Sequence, residues 1–386
     1  MNVWLIEPRD PLIFRDGKPF MPTPGARARS LPFPFPSTLA GAVRTRAGQD
    51  DAGRFDPDRV ADLLQVNVRG PLLAALNPAG EVEDWLLPAP ADSLVLKEGG
   101  EGEGRRVWLC PVELEPGEAT NLEGGLPVSA RPAVRQKRLA GAPHFWRWPA
   151  LEAWLKRPAN DPAPVELSTL GIAGLTPESR VHVSIDASTG TARESKLFET
   201  SGLEFCTANA GSLASFRQYA LALDTDANLG PGVDFLGGER RLVHWTASER
   251  PFPTCPDAIR RSIVAEKHCR LLLATPALFG GGHLPEWVRG AFPGLTVNVV
   301  AAAVPRYRGI SGWDAQKNAP KASRRLAPAG SVYFLSLDGD AQAMDRFVDG
   351  VWLQPVSDDE QDRRDGFGLG LLGAWDGKIE PLEVSE

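Results

Sequence analysis

The chain has 386 residues, which is too long for one ordinary hydrophobic core and predicts two domains. Hydrophobic residues make up 42% and charged residues 24%, a balance typical of a globular protein rather than a disordered or fibrous one. No apolar run approaches the roughly 20 residues that span a bilayer, and the N-terminal MNVWLIEP lacks the pattern of a signal peptide. We therefore expect a cytoplasmic protein.

The formal net charge of −7 argues against a protein that coats nucleic acid non-specifically. Basic residues nevertheless form three islands with at most one acid each, at 27–46, 131–148 and 306–325. Such a surface suits a protein that holds one RNA and docks protein neighbours, although ordinary solvated faces explain each island as well. The four cysteines are widely spaced and form no Cys-x-x-Cys pair, so neither a disulfide framework nor a metal site is expected. No cofactor is expected either.

Short strands and helices alternate without a strict βαβ pattern. The pattern predicts, in chain order, a strand at 3–8, a helix at 36–46, a helix near 149–156, strands at 180–186, 216–224 and 241–245, a helix at 257–267, strands at 269–276, 296–300 and 331–337, and a helix near 341–348. Residues from 50 to about 170 are rich in proline, glycine and acids and are interpreted as an insertion. In the strand at 180–186, Val181, Val183 and Ile185 are expected to face a core. The fold class indicated is α+β with antiparallel sheets and loop insertions.

The segment DPLIFRDGKPF, Asp10 to Phe20, places a basic turn directly after the first strand. The Asp-Gly pair predicts a tight turn between Arg15 and Lys18, with phenylalanines on either side. Basic residues next to aromatic rings can hold a phosphate and stack a base. An ordinary hairpin with core phenylalanines explains the same residues equally well.

The first predicted helix carries a small, hydroxylated and basic stripe. The candidate RNA contacts on it are Ser37, Thr38, Gly41, Arg44 and Thr45. Glycine permits another backbone to approach closely, and the helix N-terminus offers free N–H groups to an anion. Tight packing of the helix against a sheet is the alternative explanation.

Further candidates lie in four distant segments. Arg135, Lys137 and Arg138 precede a run of aromatic residues, a pattern of nucleic-acid binding but also of protein-docking arms. Arg180 and His182 share one strand face, where structural hydrogen bonds explain them too. The turn LGGERR contributes Gly237, Gly238 and Arg240, and the segment DGFGLGLLGAW contributes Gly366, Gly368 and Gly370, where backbone can approach RNA. Residues 305–325 are interpreted as a long, basic surface loop.

No catalytic constellation is present among the five scattered histidines, because none lies in an HExxH pair, a GxSxG elbow or a paired-carboxylate pattern. A metal-independent ribonuclease needs little more than one positioned histidine, so this chemistry stays open.

The order and spacing of these motifs resemble those of Cmr complex subunit three. This family belongs to the RAMP superfamily and occurs in type III-B CRISPR systems. The motifs that carry the resemblance are DPLIFRDGKPF, PFPSTLAGAVRT, RVHVSIDASTGTARESKLFET, LGGERR, TPALFGGG, the SGWD…PK…RRLAPAGSVYF series and GFGLGLLGAW. The resemblance covers about two thirds of the chain, and the acidic segments at 98–105 and 358–365 depart from it.

The resemblance implies two ferredoxin-like (RRM-like) domains. They are expected at 1–225, with the long insertion at about 50–170, and at 226–386, with a glycine-rich loop at 366–373. It also implies a non-catalytic subunit that binds the 5′ repeat-derived tag of CRISPR RNA in antiviral defence. Its partners would be the CRISPR RNA, the large palm-domain subunit and a RAMP backbone subunit.

Two other functions remain open at this point. A RAMP-type endoribonuclease that processes precursor CRISPR RNA would place a histidine soon after the first strand, whereas His144 is the first histidine in this chain. A protein-interaction scaffold that never touches RNA is the third possibility.

Overall fold

The computed structural model describes residues 2–15, 27–28, 30–50, 52–117, 125–207, 216–314 and 319–382. The strands are β1 (Asn2–Pro8), β2 (Arg27–Ala28), β3 (Val68–Leu76), β4 (Val82–Pro88), β5 (Ser93–Leu96), β6 (Glu103–Glu113), β7 (Val128–Ala130), β8 (Phe145–Arg147), β9 (Val165–Glu166), β10 (Gly171–Ile172), β11 (Thr176–Ile185), β12 (Ala192–Glu204), β13 (Cys206–Thr207), β14 (Arg217–Thr225), β15 (Gly232–Leu236), β16 (Arg241–Ala247), β17 (His268–Leu273), β18 (Leu295–Ala303), β19 (Arg308–Ile310), β20 (Trp313–Asp314), β21 (Ala319–Pro320), β22 (Arg324–Leu326), β23 (Val332–Gly339), β24 (Gly370–Ala374) and β25 (Glu380–Pro381).

The α-helices are α1 (Pro36–Ala47), α2 (Val60–Leu63), α3 (Trp148–Lys156), α4 (Leu167–Leu170), α5 (Asp257–Glu266), α6 (Glu286–Gly290), α7 (Ala341–Val351) and α8 (Glu360–Arg364). The four longer helices expected from the sequence are confirmed as α1, α3, α5 and α7. Helix α1 begins at Pro36, whose missing N–H costs nothing at a first helical position. No helix among the described residues is long and apolar enough to cross a membrane.

The first sheet has the order β10-β8-β4-β3-β14-β1-β16-β15, with β13 added to β14, and its pairs are antiparallel. Strand β1 is central and buried on both faces, which explains its continuous apolar sequence. Trp4 and Ile6 pack with α1, whereas Val3 and Leu5 join the larger core on the opposite face.

The second sheet has the order β18-β23-β17-β24 and is also antiparallel. Its strands pack with α5 and α7 and share the larger core with one face of the first sheet. The mixed helices and antiparallel sheets agree with the α+β class expected from the sequence. A smaller module is built on β6, which pairs with β5, β7, β9 and β25.

Sheet membership differs from the predicted domain division in two places. Strands β3, β4, β8 and β10 belong to the first sheet, although their residues lie in the stretch interpreted as an insertion. Strands β15 and β16 also belong to it, although they follow residue 225. The reason for the second difference is burial, since Val243 and Trp245 of β16 complete the core beneath α1.

Strands β11 and β12 form a long antiparallel hairpin whose apolar side faces solvent. Val181, Val183 and Ile185 have exposed fractions of 73%, 40% and 55%. The prediction that these side chains face a core is therefore wrong. The alternation correctly indicated that they share one face, but a strand pattern does not show what covers that face.

Candidate nucleic-acid interface

A cleft of about 400 Å³ lies where the two sheets meet. Its walls come from the segment entering α1, the middle of β3, the end of β4, the start of β8 with the segment before it, the residues after β17, the start of β19 with the residues before it, and the residues before β23. Eight of the lining residues are prolines, among them Pro32, Pro34, Pro143 and Pro276. Because proline has no N–H and a fixed φ, these walls are rigid and present few backbone donors.

Two aromatic rings form part of the wall. Phe33, just before α1, packs against Phe145 at the start of β8 with ring centroids 5.1 Å apart. Phe35, directly before Pro36, has an extended backbone, because a residue before proline avoids the helical region. The cleft therefore offers flat apolar surface of the kind on which a nucleotide base can stack.

The charged groups that line the cleft are all basic. Arg138, Arg306 and Arg308 are exposed there, and none of the three forms an ion pair with another described residue. His144 lies among them, and no aspartate or glutamate among the described residues lines the cleft. Partial burial lowers the pKa of His144 below its usual 6.5, and Arg138 and Arg308 lower it further. The site thus combines positive charge with an apolar floor, as a nucleotide requires.

The basic segment at 305–326 forms a short ribbon rather than an irregular loop. Strand β19 pairs with β22, and β20 pairs with β21. Arg325 lies over the ring of Tyr307, 4.8 Å from its centroid, and Arg324 binds Asp362. The ribbon therefore holds Arg306 and Arg308 beside the cleft while two of its other arginines have structural roles.

Sequence reasoning did not place five residues of the cleft among the RNA contacts: Phe33, His144, Phe145, Arg306 and Arg308. The basic island at 306–325 was recognised, but a charge pattern alone does not show which arginines remain unpaired. Arg138 is the predicted residue that does line the cleft. Arg135 and Lys137 are exposed on the same segment, which lies along β5. Neither of these two residues lines the cleft.

The structure brings Arg15 together with the LGGERR turn, 220 and more residues later in the chain. The Gly238 N–H donates to the Ile13 carbonyl at 2.7 Å, and Arg15 lies 3.5 Å from Glu239. Gly237 has a φ of +75°, and a Cβ there would lie 2.6 Å from the Ile13 oxygen. Arg240 stacks over Phe235 at 4.4 Å and remains exposed. Lys18 lies outside the described residues.

This basic turn and the cleft are linked by one segment of chain. Arg15 forms a bridge with Ser30, and the Leu31 N–H donates to the Phe14 carbonyl at 2.6 Å. Leu31 is followed by the proline and phenylalanine residues that line the cleft. Basic groups from four distant parts of the sequence therefore lie along neighbouring surfaces.

Helix α1 presents a partly open face beside this region. Gly41 and Thr45 are exposed, Ser37 and Thr38 are half-buried, and a Cβ at Gly41 would meet no atom within 4 Å. These four residues remain accessible, as an RNA contact would require.

Arg44 is a correction to the predicted interface. Its guanidinium binds Asp365 at 2.6 Å and donates to the carbonyls of Leu63 and Val66. Only 13% of its side chain is exposed, so its charge is already used within the protein. The residue ties α1 to the loop before β3 and to the end of α8.

We expect Arg44→Ala to reduce stability rather than RNA affinity. Loss of one partly buried ion pair and two hydrogen bonds should lower the free energy of unfolding by about 1–3 kcal/mol. Urea denaturation measures this loss, and the control is Arg59→Ala, an exposed arginine with one bond to the Ala47 carbonyl. The control should change stability by less than about 0.5 kcal/mol, and equal losses would contradict the prediction.

Gly366, Gly368 and Gly370 are a second correction. All three are buried, and a Cβ at Gly366 would lie 2.7 Å from the Val68 carbonyl oxygen. At Gly368 it would meet the Ser357 backbone nitrogen at 3.0 Å, and at Gly370 the Leu271 side chain at 2.9 Å. These glycines permit close packing of protein against protein and leave no backbone for RNA to approach.

Arg180 and His182 lie on the β11–β12 hairpin and do not line the cleft. Arg180 binds Glu178 at 2.8 Å, and a ring nitrogen of His182 lies 2.8 Å from the Thr200 hydroxyl. The His182 ring also stacks on Phe198. Both residues therefore have structural partners within the hairpin.

No group of three or more potential metal ligands occurs in the described part of the chain.

Solved CRISPR structures resemble this chain at low identity. A chain in the cryo-EM structure of the type III-B Cmr-beta complex bound to cognate target RNA and AMPPnP has 16% identity and a TM-score of 0.45, over 86% of both chains. A chain in the crystal structure of the Csm3–Csm4 subcomplex of a type III-A interference complex has 10% identity and a TM-score of 0.33, covering 88% of this chain and 94% of that one. TM-scores this low do not establish a shared fold.

No curated protein matches the chain at a significant level. The family described as CRISPR-associated protein (Cas_Cmr3) matches residues 4–375, which is nearly the whole sequence. Its match includes both sheets, the cleft between them and the LGGERR turn. The chain belongs to this family of CRISPR-associated proteins.

Proposed function

We propose that this chain is a non-catalytic, RNA-binding subunit of a type III-B CRISPR effector (Cmr) complex. It holds the 5′ repeat-derived tag of CRISPR RNA and caps the complex beside the large palm-domain subunit, next to a RAMP backbone subunit. In this role it supports RNA-guided antiviral defence in the cytoplasm. Family membership supports the assignment to the complex, and the basic cleft supports the RNA-binding role.

The two sheets support a further proposal, that each is the sheet of a ferredoxin-like domain. The strands of the second sheet lie in the order β24-β17-β23-β18. If these four strands are numbered by their order along the chain, the order across the sheet is 4-1-3-2. The central part of the first sheet, β16-β1-β14-β3, repeats this order. A split βαβ arrangement produces this antiparallel order. In this proposal the residues between β3 and β14 form the insertion.

The observation that carries the RNA-binding proposal is a cleft whose described lining includes three arginines and no acidic residue. Phosphates of a single strand would pair with Arg138, Arg306 and Arg308, while bases stack on the prolines and on Phe33 and Phe145. Arginine suits this role because its planar guanidinium can bind two phosphate oxygens.

The predicted contacts that remain accessible extend this proposed path. They are Arg15, Arg240 and the glycines of the LGGERR turn on one side of the Ser30–Leu31 segment, with Ser37, Thr38, Gly41 and Thr45 on α1 and Arg135 and Lys137 beyond Arg138. Arg180 and His182 would contribute only if RNA also reached the hairpin.

The double substitution Arg306→Glu with Arg308→Glu should weaken binding of an RNA that carries the 5′ tag by roughly 10- to 100-fold, because two phosphate contacts become repulsive. Fluorescence anisotropy across a salt series measures the affinity and its slope, which should fall by about two. Arg261→Glu is the matched control, since Arg261 is exposed on α5 and does not line the cleft. Equal weakening by both variants would refute the placement of the RNA.

One observation favours an alternative function. His144 lies in the cleft among arginines, as the base of a metal-independent ribonuclease would. Incubation of the full chain with precursor CRISPR RNA and a chelator separates the two functions. Cleavage that His144→Ala abolishes supports the endoribonuclease, and intact RNA that stays bound supports the non-catalytic subunit.

A further inference from the structure

The cleft holds one side chain whose charge can change near neutral pH. The backbone of His144 is fixed on both sides, because its N–H donates to the Ile172 carbonyl at 2.9 Å and its carbonyl accepts from the Ala89 N–H at 2.8 Å. Among the described residues, neither ring nitrogen has a hydrogen-bond partner. The imidazole is therefore held at the cleft with both nitrogens available to a ligand.

The groups that face His144 from neighbouring elements are positive or neutral. Arg138 lies on its own segment, Arg308 begins β19 with Arg306 just before it, and Thr275 follows β17. The other described residues that line the cleft are prolines, phenylalanines, leucines and alanines, and none of them carries a carboxylate. In the free protein, none of the described residues that line the cleft has a negative charge to stabilise a protonated imidazole.

A phosphate bound between these arginines would reverse that balance. It would neutralise the positive field at His144 and accept a hydrogen bond from a protonated ring nitrogen. We infer that binding of an RNA phosphate in this cleft is coupled to proton uptake by His144, so that RNA binds more tightly as the pH falls. This inference rests on the proposed function, because it concerns the same cleft.

The direction follows from proton linkage. The free protein has a His144 pKa below the usual 6.5, owing to burial and to Arg138 and Arg308. Bound phosphate raises that pKa, so the complex binds more protons than the free protein in the interval between the two values. Affinity therefore rises as the pH falls through this interval, and this gain in affinity is lost again as the pH rises through the pKa of the complex.

The test measures affinity of the full chain for an oligouridylate between about pH 5 and about pH 8 at constant ionic strength. Uridine bases carry no group that titrates in this range. Wild-type affinity should rise by roughly three- to tenfold toward acid pH, since one linked proton changes affinity by at most about tenfold per pH unit. Circular dichroism at each pH verifies that the protein stays folded.

Three variants assign the effect to one residue. His144→Gln should bind with the same affinity at every pH, and His144→Arg should bind tightly at every pH. His283→Gln, which removes an exposed histidine outside the cleft, should keep the wild-type response. Salt-sensitive binding that does not change with pH, or a pH response that survives in His144→Gln, overturns this inference alone. Absence of RNA binding at every pH overturns the proposed function together with it.

Discussion

We expect Asp92→Ala to lower the free energy of unfolding by about 3–5 kcal/mol, because it leaves a buried guanidinium unpaired. Asp92 and Arg270 form an ion pair in which the exposed fractions are 0% and 1%. The other Asp92 oxygen accepts from the Trp154 indole at 3.0 Å, and Arg270 also donates to the carbonyls of Trp154, Leu155 and Ala374. The pair therefore joins the turn after β4, helix α3 and two strands of the second sheet.

Urea denaturation measures the loss, and two variants define its cause. Glu152→Ala breaks the partly exposed Glu152–Lys156 pair on α3 and should lower the free energy of unfolding by less than about 0.5 kcal/mol. The double substitution Asp92→Leu with Arg270→Met removes both charges and should recover much of the stability. A loss below about 1 kcal/mol for Asp92→Ala would show that the remaining groups find other partners.

The second large effect is expected for Gly366→Ala. Gly366 has a φ of +90°, and a Cβ there would lie 2.7 Å from the Val68 oxygen and 2.8 Å from the Gly70 oxygen. Both neighbours are backbone of β3, so they cannot rotate away as a side chain does. We expect Gly366→Ala to lower the free energy of unfolding by about 2–5 kcal/mol, because the strained φ and the overpacking act together.

Gly102→Ala is the matched control for this prediction. Gly102 has a φ of +82°, but a Cβ there would meet nothing within 4 Å. Gly102→Ala should lower the free energy of unfolding by about 1–2 kcal/mol, because only the backbone conformation is strained. Urea denaturation measures the stability of both variants. Equal decreases in stability would mean that the packing of the glycine-rich segment against β3 does not contribute to stability.

Local features were readable from the sequence because they depend on residues close together along the chain. Pro36 and the apolar positions Leu39 and Val43 placed α1, and the apolar run at 3–8 marked the strand β1. The ordered motifs indicated the family that the match over residues 4–375 shows.

Only the tertiary structure decided what each pattern contacts. A glycine indicates close approach, but the partner of Gly366 is a strand of the same protein rather than RNA. A charge on α1 suggested a phosphate contact, yet Arg44 pairs with Asp365, 321 residues away in the chain. The cleft likewise joins Phe33, Arg138 and Arg308 from segments whose spacing in sequence says nothing about their distance in space. Backbone conformation is set by neighbours a few residues apart, whereas pairing across the sheets depends on the whole folded chain.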